Sequence, residues 1–205
     1  MAKVVIIGDV GGCADQLSQA VASAQVDPDA VVIQVGDLID RGPDSPGVLA
    51  FVRRRLEDPR RWIQLVGNHE SQYLGAEMFW PQRLPDEDAA LLKSWWLRDR
   101  LRGAAAVRTA DGEELLVTHA GLAVDAWRKL GEPVAAATTA ELLNTRPEDI
   151  LWHERGPLWA EAGPDLYDSW LHAAEPPPFG VDPQHGRDGA PQWSPLVFDD
   201  ATVLT

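Results

Sequence analysis

Residues 30–42 read AVVIQVGDLIDRG, and this stretch decides the fold class. The run from Ala30 to Val35 is β-branched and apolar apart from Gln34, has strand length, and stops at Gly36-Asp37. The same unit recurs on either side. Lys3 to Ile7 (KVVII) ends at Gly8-Asp9, and Trp62 to Val66 ends at Gly67-Asn68-His69-Glu70. Between them lie helical patterns. Asp15 to Ala24 puts Leu17, Ala20, Val21 and Ala24 on one face, and Ser45 to Leu56 carries Pro46 in its first turn, where proline is tolerated. A strand, loop, helix repeat predicts an α/β fold whose strands deliver their ends to a shared edge.

Further along, Asp86 to Arg102 reads as an amphipathic helix with Leu91, Leu92, Trp95, Trp96 and Leu101 on its apolar side. Ala104 to Thr109 and Glu113 to Thr118 read as a hairpin with a two-residue turn at Asp111-Gly112, and its second strand ends at His119-Ala120-Gly121. The pattern weakens from about Arg146. Glu175 to Pro195 reads as loop, and Leu196 to Val203 as a closing hairpin through Asp199-Asp200. The expectation is a single domain over residues 1–205, with a motif-bearing core at about 3–160 and an irregular segment at 161–205.

The chain has 205 residues, enough for one sizeable core. Its formal net charge of -14 opposes nucleic acid and anionic membranes as partners, and a phosphate site would need cations of its own. Arg53-Arg54-Arg55 and Arg60-Arg61 read as a solvated helix face. The one cysteine, Cys13, rules out an internal disulfide and a cysteine-rich zinc site, and reads as a small buried hydrophobe. The N-terminus is too short in apolar residues for a signal peptide and no run approaches a membrane span, so a cytoplasmic location is expected. Oligomeric state is not legible.

Four strand ends carry polar groups: Asp9; Asp37 with Asp40 and Arg41; Asn68 with His69; and His119. Ligands bind outside the carboxyl ends of strands in α/β sheets. Asp, Asn and His are oxygen and nitrogen ligands that suit Mn, Fe, Zn or Mg rather than copper(I) or an iron–sulfur cluster. Singly, Asp9 reads as a helix cap, Asp37 and Asp40 as turn formers, and Asn68 as a residue that tolerates left-handed backbone. Their order and placement together point to a site.

Gly8-Asp9-Val10-Gly11-Gly12, Gly36-Asp37-Leu38-Ile39-Asp40-Arg41-Gly42, Gly67-Asn68-His69-Glu70 and Thr118-His119-Ala120-Gly121 resemble, in order and spacing, the signature of calcineurin-like metallophosphoesterases. The branch they resemble holds bacterial phosphoprotein phosphatases and diadenosine tetraphosphatases, whose Gly-Pro-Leu-Trp loop is matched by Gly156 to Trp159. The resemblance covers roughly residues 3–160 and implies a sandwich of mixed β-sheets flanked by helices. It also implies two divalent metal ions, with Mn favoured over Fe, Zn or Mg. Asp9 would bind the first, Asp37 would bridge both, and Asn68 and His119 would bind the second. Arg41 would grip the phosphate of a phosphorylated substrate, His69 would protonate the leaving group, and Asp40 would orient His69. Two ions about 4 Å apart would activate water and neutralise phosphoryl oxygens without a covalent intermediate.

The sequence departs from that pattern twice. Gly11 stands where the family's first motif has histidine, and no Gly-His follows His119. His185, His153 and His172 are the candidates to compensate. Two readings follow: a hydrolase of phosphomonoesters or phosphoanhydrides, or a catalytically impaired binding module on the same fold. Selectivity would come from loops at Glu77 to Asp88 and Thr138 to Pro164, which hold no recognisable reader of peptide or base.

Overall fold

The computed structural model describes residues 2–24, 29–153, 155–159 and 196–204. The elements in chain order are β1 (Ala2–Ile7), α1 (Ala14–Ser23), β2 (Val31–Gln34), α2 (Ser45–Arg55), β3 (Trp62–Leu65), α3 (Asn68–Ser71), α4 (Asp86–Leu97) and β4 (Leu101–Arg102). There follow β5 (Ala105–Arg108), β6 (Glu114–Val117), α5 (Val124–Lys129), α6 (Ala136–Asn144), α7 (Glu148–Leu151) and β7 (Leu196–Val203). The strands form one mixed sheet in the order β4-β3-β2-β1-β7-β5-β6. β1 to β4 run parallel, while β7 is antiparallel to both β1 and β5.

The period-two pattern of the strands sorts their side chains onto two apolar faces. Val5, Ile7 and Val32 join the cluster that holds Leu17 and Val21 of α1, Val48, Leu49 and Val52 of α2, and Leu92, Trp95 and Trp96 of α4. Val4, Ile33, Ile63 and Leu65 join a second cluster with Ala105, Val107, Val117 and Ala201. Each such fully buried Val, Leu or Ile contributes roughly 1.5–3 kcal/mol.

Four expectations need correction. The helix expected to Arg102 ends at Leu97. There, Asp99 takes left-handed backbone (φ 56) and the Arg100 and Asp99 N–H groups return to the carbonyls of Trp95 and Trp96, so the chain turns out before Leu101 enters β4. The hairpin turn is three residues long, because Thr109 still pairs with Glu113 and Gly112 supplies the positive φ of 91. Leu196 to Val203 is one strand and not a hairpin. Its register with β1 slips between Ala2↔Ala201 and Val4↔Phe198, so Asp199-Asp200 forms a bulge, with Asp200 at φ 56. The loop expected from Thr138 to Pro164 instead holds most of α6 and all of α7; of the three helices α5, α6 and α7, two are too short to show a period. Most of the expected irregular segment lies outside the described residues. Among the described residues no helix is long and apolar enough to cross a membrane.

Candidate functional site

Because β1, β2 and β3 are parallel neighbours, the residues after them emerge at one edge. Backbone hydrogen bonds then lace the first two loops together. Val10 and Gly11 N–H donate to the Asp37 carbonyl at 2.9 and 2.7 Å, Gly12 N–H to Leu38, and Gly42 N–H to Gly11. This lacing holds Asp37, Asp40 and Arg41 in left-handed backbone (φ 52, 70 and 57). Such backbone costs a non-glycine residue about 1–3 kcal/mol and is typical of functional sites. Gly67 is dictated by proximity: a Cβ there would sit 2.2 Å from Asp37 Oδ1.

Glu70, quoted in the motif but given no role from sequence, is the tether beneath the site. It is completely buried, and its carboxylate accepts the backbone N–H of Asp37 and Gly67 on Oε2, at 2.8 and 2.9 Å, and of Leu38 on Oε1, at 2.8 Å. Burial, reinforced by the Asp37 charge, pushes its pKa up to about 7 against the pull of those donors. The signal that could have found it is its place three residues after Gly67, where a glutamate reaches back to the N-cap N–H of a helix. Gln34, a polar interruption in an apolar run, is a second unforeseen tie. Its amide donates to the carbonyls of Gly8 and Gly36 and accepts from Gly36 N–H, joining the ends of β1 and β2.

His69 and Asp40 are both buried, with His69 Nδ1 2.7 Å from Asp40 Oδ2. Gln72 Nε2 also donates to that oxygen, at 3.0 Å. The opposite ring nitrogen, Nε2, faces Asp37 Oδ2 at 3.8 Å. Phe79 and Trp80 close on the His69 ring edge-to-face at 5.0 Å each, and Phe79 meets Trp159 in the same way. Trp80 and Trp159 therefore wall the site, whereas Trp62, Trp95 and Trp96 are core.

His119 arrives from β6. Its Nδ1–H donates to the Val35 carbonyl at 3.0 Å, which leaves Nε2 facing Asn68 at 2.9 Å. With the Asn68 amide nitrogen on that side, it donates to Nε2 and to both Asp37 oxygens, at 3.1 and 3.3 Å. Burial alone would lower the His119 pKa, but the carboxylates of Asp37, Asp9 and Glu70 outweigh it and hold the pKa above the ordinary value.

Asp9, Asp37 and His119 place ligand atoms within 4.8 Å of one another, and Asn68 adjoins them. This mixed oxygen and nitrogen donor set fits one hard or borderline divalent cation. Among the described residues it does not offer ligands for another ion at the Gly11 side of Asp9, where the resemblance places one. Gly11 brings no ligand, and the Arg41 guanidinium lies there instead, 3.5 Å from Asp9 Oδ2 and 3.8 Å from Asp37 Oδ2. Of the candidate substitutes, His153 is exposed and accepts Arg155 N–H. His172 and His185 lie outside the described residues. Cys13 is half-buried rather than buried, and Arg53 to Arg55 are exposed as expected.

A sequence model of the calcineurin-like phosphoesterase family matches residues 2–194. Serine/threonine-protein phosphatase 1 of Salmonella typhimurium is 41% identical over 75 residues, which cover 36% of this chain and 32% of that protein. The symmetrical bis(5'-nucleosyl)-tetraphosphatase of Pectobacterium carotovorum is 30% identical over 167 residues, which cover 77% of this chain and 53% of that protein. A mutant of a cold-active protein tyrosine phosphatase matches with a TM-score of 0.53 at 21% identity over 78% of this chain and 56% of that one, a likeness of fold alone. The chain thus spans about half, or less, of the length of the relatives it matches. It belongs to the calcineurin-like phosphoesterase family.

Proposed function

We propose that this member of the calcineurin-like phosphoesterase family is a metal-dependent hydrolase that transfers a phosphoryl group to water. The observation that supports it is the convergence of Asp9, Asp37, Asn68 and His119 beside a buried histidine–aspartate pair. Asp37, Asn68 and His119, with Asp9, would hold a divalent cation, for which manganese is the first choice to test. Bound there, the cation supplies a Lewis acid for phosphoryl oxygens and lowers the pKa of water.

The chain's own residues do the rest. Asp40 accepts the Nδ1–H of His69, which fixes the ring and turns Nε2 toward the carboxylates, where it can protonate a leaving oxygen. Glu70 pins the Asp37 backbone, and Phe79, Trp80 and Trp159 exclude water from one side of His69. The substrate class is a phosphomonoester or phosphoanhydride, in keeping with the names of the relatives. A second reading, a catalytically impaired binding module, is favoured by Gly11. Turnover of p-nitrophenyl phosphate with added Mn, abolished by Asp37→Ala and by chelator, is the expected result. No turnover with any divalent metal leaves the second reading.

A further inference from the structure

The two aspartates each face His119 on one edge and Arg41 on the other. Asp9 Oδ1 lies 3.8 Å from His119 Nδ1 and Asp37 Oδ1 lies 3.6 Å from His119 Nε2. The other oxygen of each, Oδ2, faces Arg41, at 3.5 Å from Asp9 and 3.8 Å from Asp37. Asp9, Asp37 and His119, with Asn68 beside them, make up the donor set for a cation. The Oδ2 edges are spanned by a guanidinium.

Two features put the guanidinium there. Arg41 has left-handed backbone (φ 57), and its side chain runs beside Gly11 to reach both aspartates. Gly11 leaves the route open: a Cβ at Gly11 would stand in van der Waals contact with the Arg41 Cβ and Cδ, both at 3.7 Å, so a side chain there would lie against the arginine. A guanidinium remains protonated at any physiological pH, and its planar fork suits carboxylates. One divalent ion plus one guanidinium already exceeds the charge of the two carboxylates, so a second divalent ion would meet repulsion that no further ligand among the described residues offsets.

We propose that this chain holds a single divalent cation, on Asp9, Asp37, Asn68 and His119, and that Arg41 takes the place of the second. The inference rests on the metal-dependent reading above, but it is read out by stoichiometry and not by turnover. Titration of the metal-free chain with Mn, followed by elemental analysis after gel filtration, should saturate at one Mn per chain. The electron paramagnetic resonance spectrum should show the hyperfine pattern of an isolated ion. Two Mn per chain, or an exchange-coupled spectrum, overturns the inference and leaves the phosphoesterase reading standing. No bound metal and no turnover overturns both. The double variant Gly11→His with Arg41→Ala, checked for native circular dichroism, should take up a second Mn and give the coupled spectrum. A folded double variant that still holds one overturns the exchange of guanidinium for metal.

Discussion

Glu70 accepts the backbone N–H of Asp37 at 2.8 Å from a position with no solvent exposure. This bond, with those from Val10 and Gly11 N–H to the Asp37 carbonyl, holds the Asp37 backbone in place. Glutamine at 70 can offer one carbonyl oxygen where three N–H donors wait, and its own NH2 must face at least one of them. The cost of leaving buried donors unmet is about 1–3 kcal/mol. Glu70→Gln should lower unfolding free energy by about that amount in urea titrations and weaken Mn binding. Unchanged stability and metal affinity would remove Glu70 from its tethering role.

The same group sets a pH dependence in the metal-free protein. Its folded pKa of about 7 lies above the ordinary 4.5, so between those values the folded state binds more protons than the unfolded state. Stability from this group is therefore complete below about pH 4.5, falls as pH rises, and levels off above about pH 7. In chelator, urea midpoints of the parent chain should decline across that window, and those of Glu70→Gln should decline less. Parallel profiles would show that Glu70 titrates normally.

His69 and Asp40 yield a kinetic prediction. If Nε2 protonates the leaving oxygen, His69→Ala should cost about 10²–10⁴ in kcat at unchanged metal content. The loss should be smallest for p-nitrophenyl phosphate, whose leaving group needs least protonation, and should grow along a series of poorer leaving groups. Asp40→Asn, which puts an amide where His69 Nδ1–H and Gln72 both donate, should fall between the parent and His69→Ala. A uniform loss across the leaving-group series would mean that His69 positions other groups and donates no proton.

The legible part of this fold is the part written locally. β1, α1, β2, α2 and β3 each carry their own period and their own stop residues, and the polar groups after them follow. His119 is different. A flat sheet would hold β6 roughly 19 Å from β2, four strand spacings away, yet His119 Nδ1 bonds the Val35 carbonyl at 3.0 Å. The sheet doubles back on itself, and strand periodicity does not encode that; the resemblance supplied it. Asp199-Asp200 shows the converse failure. The pair has turn chemistry, but the partner that makes it a bulge, β1, is distant in sequence. Gly11 was legible as a missing ligand. That Arg41 would lie beside it depends on the Arg41 backbone, which nothing in the residue type announces.

Gly67 separates steric from conformational constraint. Its backbone is ordinary extended (φ -104, ψ 178), so alanine would meet no dihedral penalty there. The Cβ would nevertheless stand 2.2 Å from Asp37 Oδ1 and 2.4 Å from Asp37 N, closer than real Cβ contacts allow, so the carboxylate and its loop must shift. Gly131 is the reverse case: φ is 85 and nothing lies within 4 Å of an added Cβ. Gly131→Ala should therefore cost about 1 kcal/mol, from left-handed backbone alone, and leave Mn binding intact. Gly67→Ala should cost about 2 kcal/mol or more, in the range of overpacked interiors, and lose Mn affinity at least tenfold because Asp37 is the atom group displaced. Equal destabilisation by the two variants, or Gly67→Ala with native Mn affinity, would mean that the loop carrying Asp37 yields more readily than its laced hydrogen bonds imply.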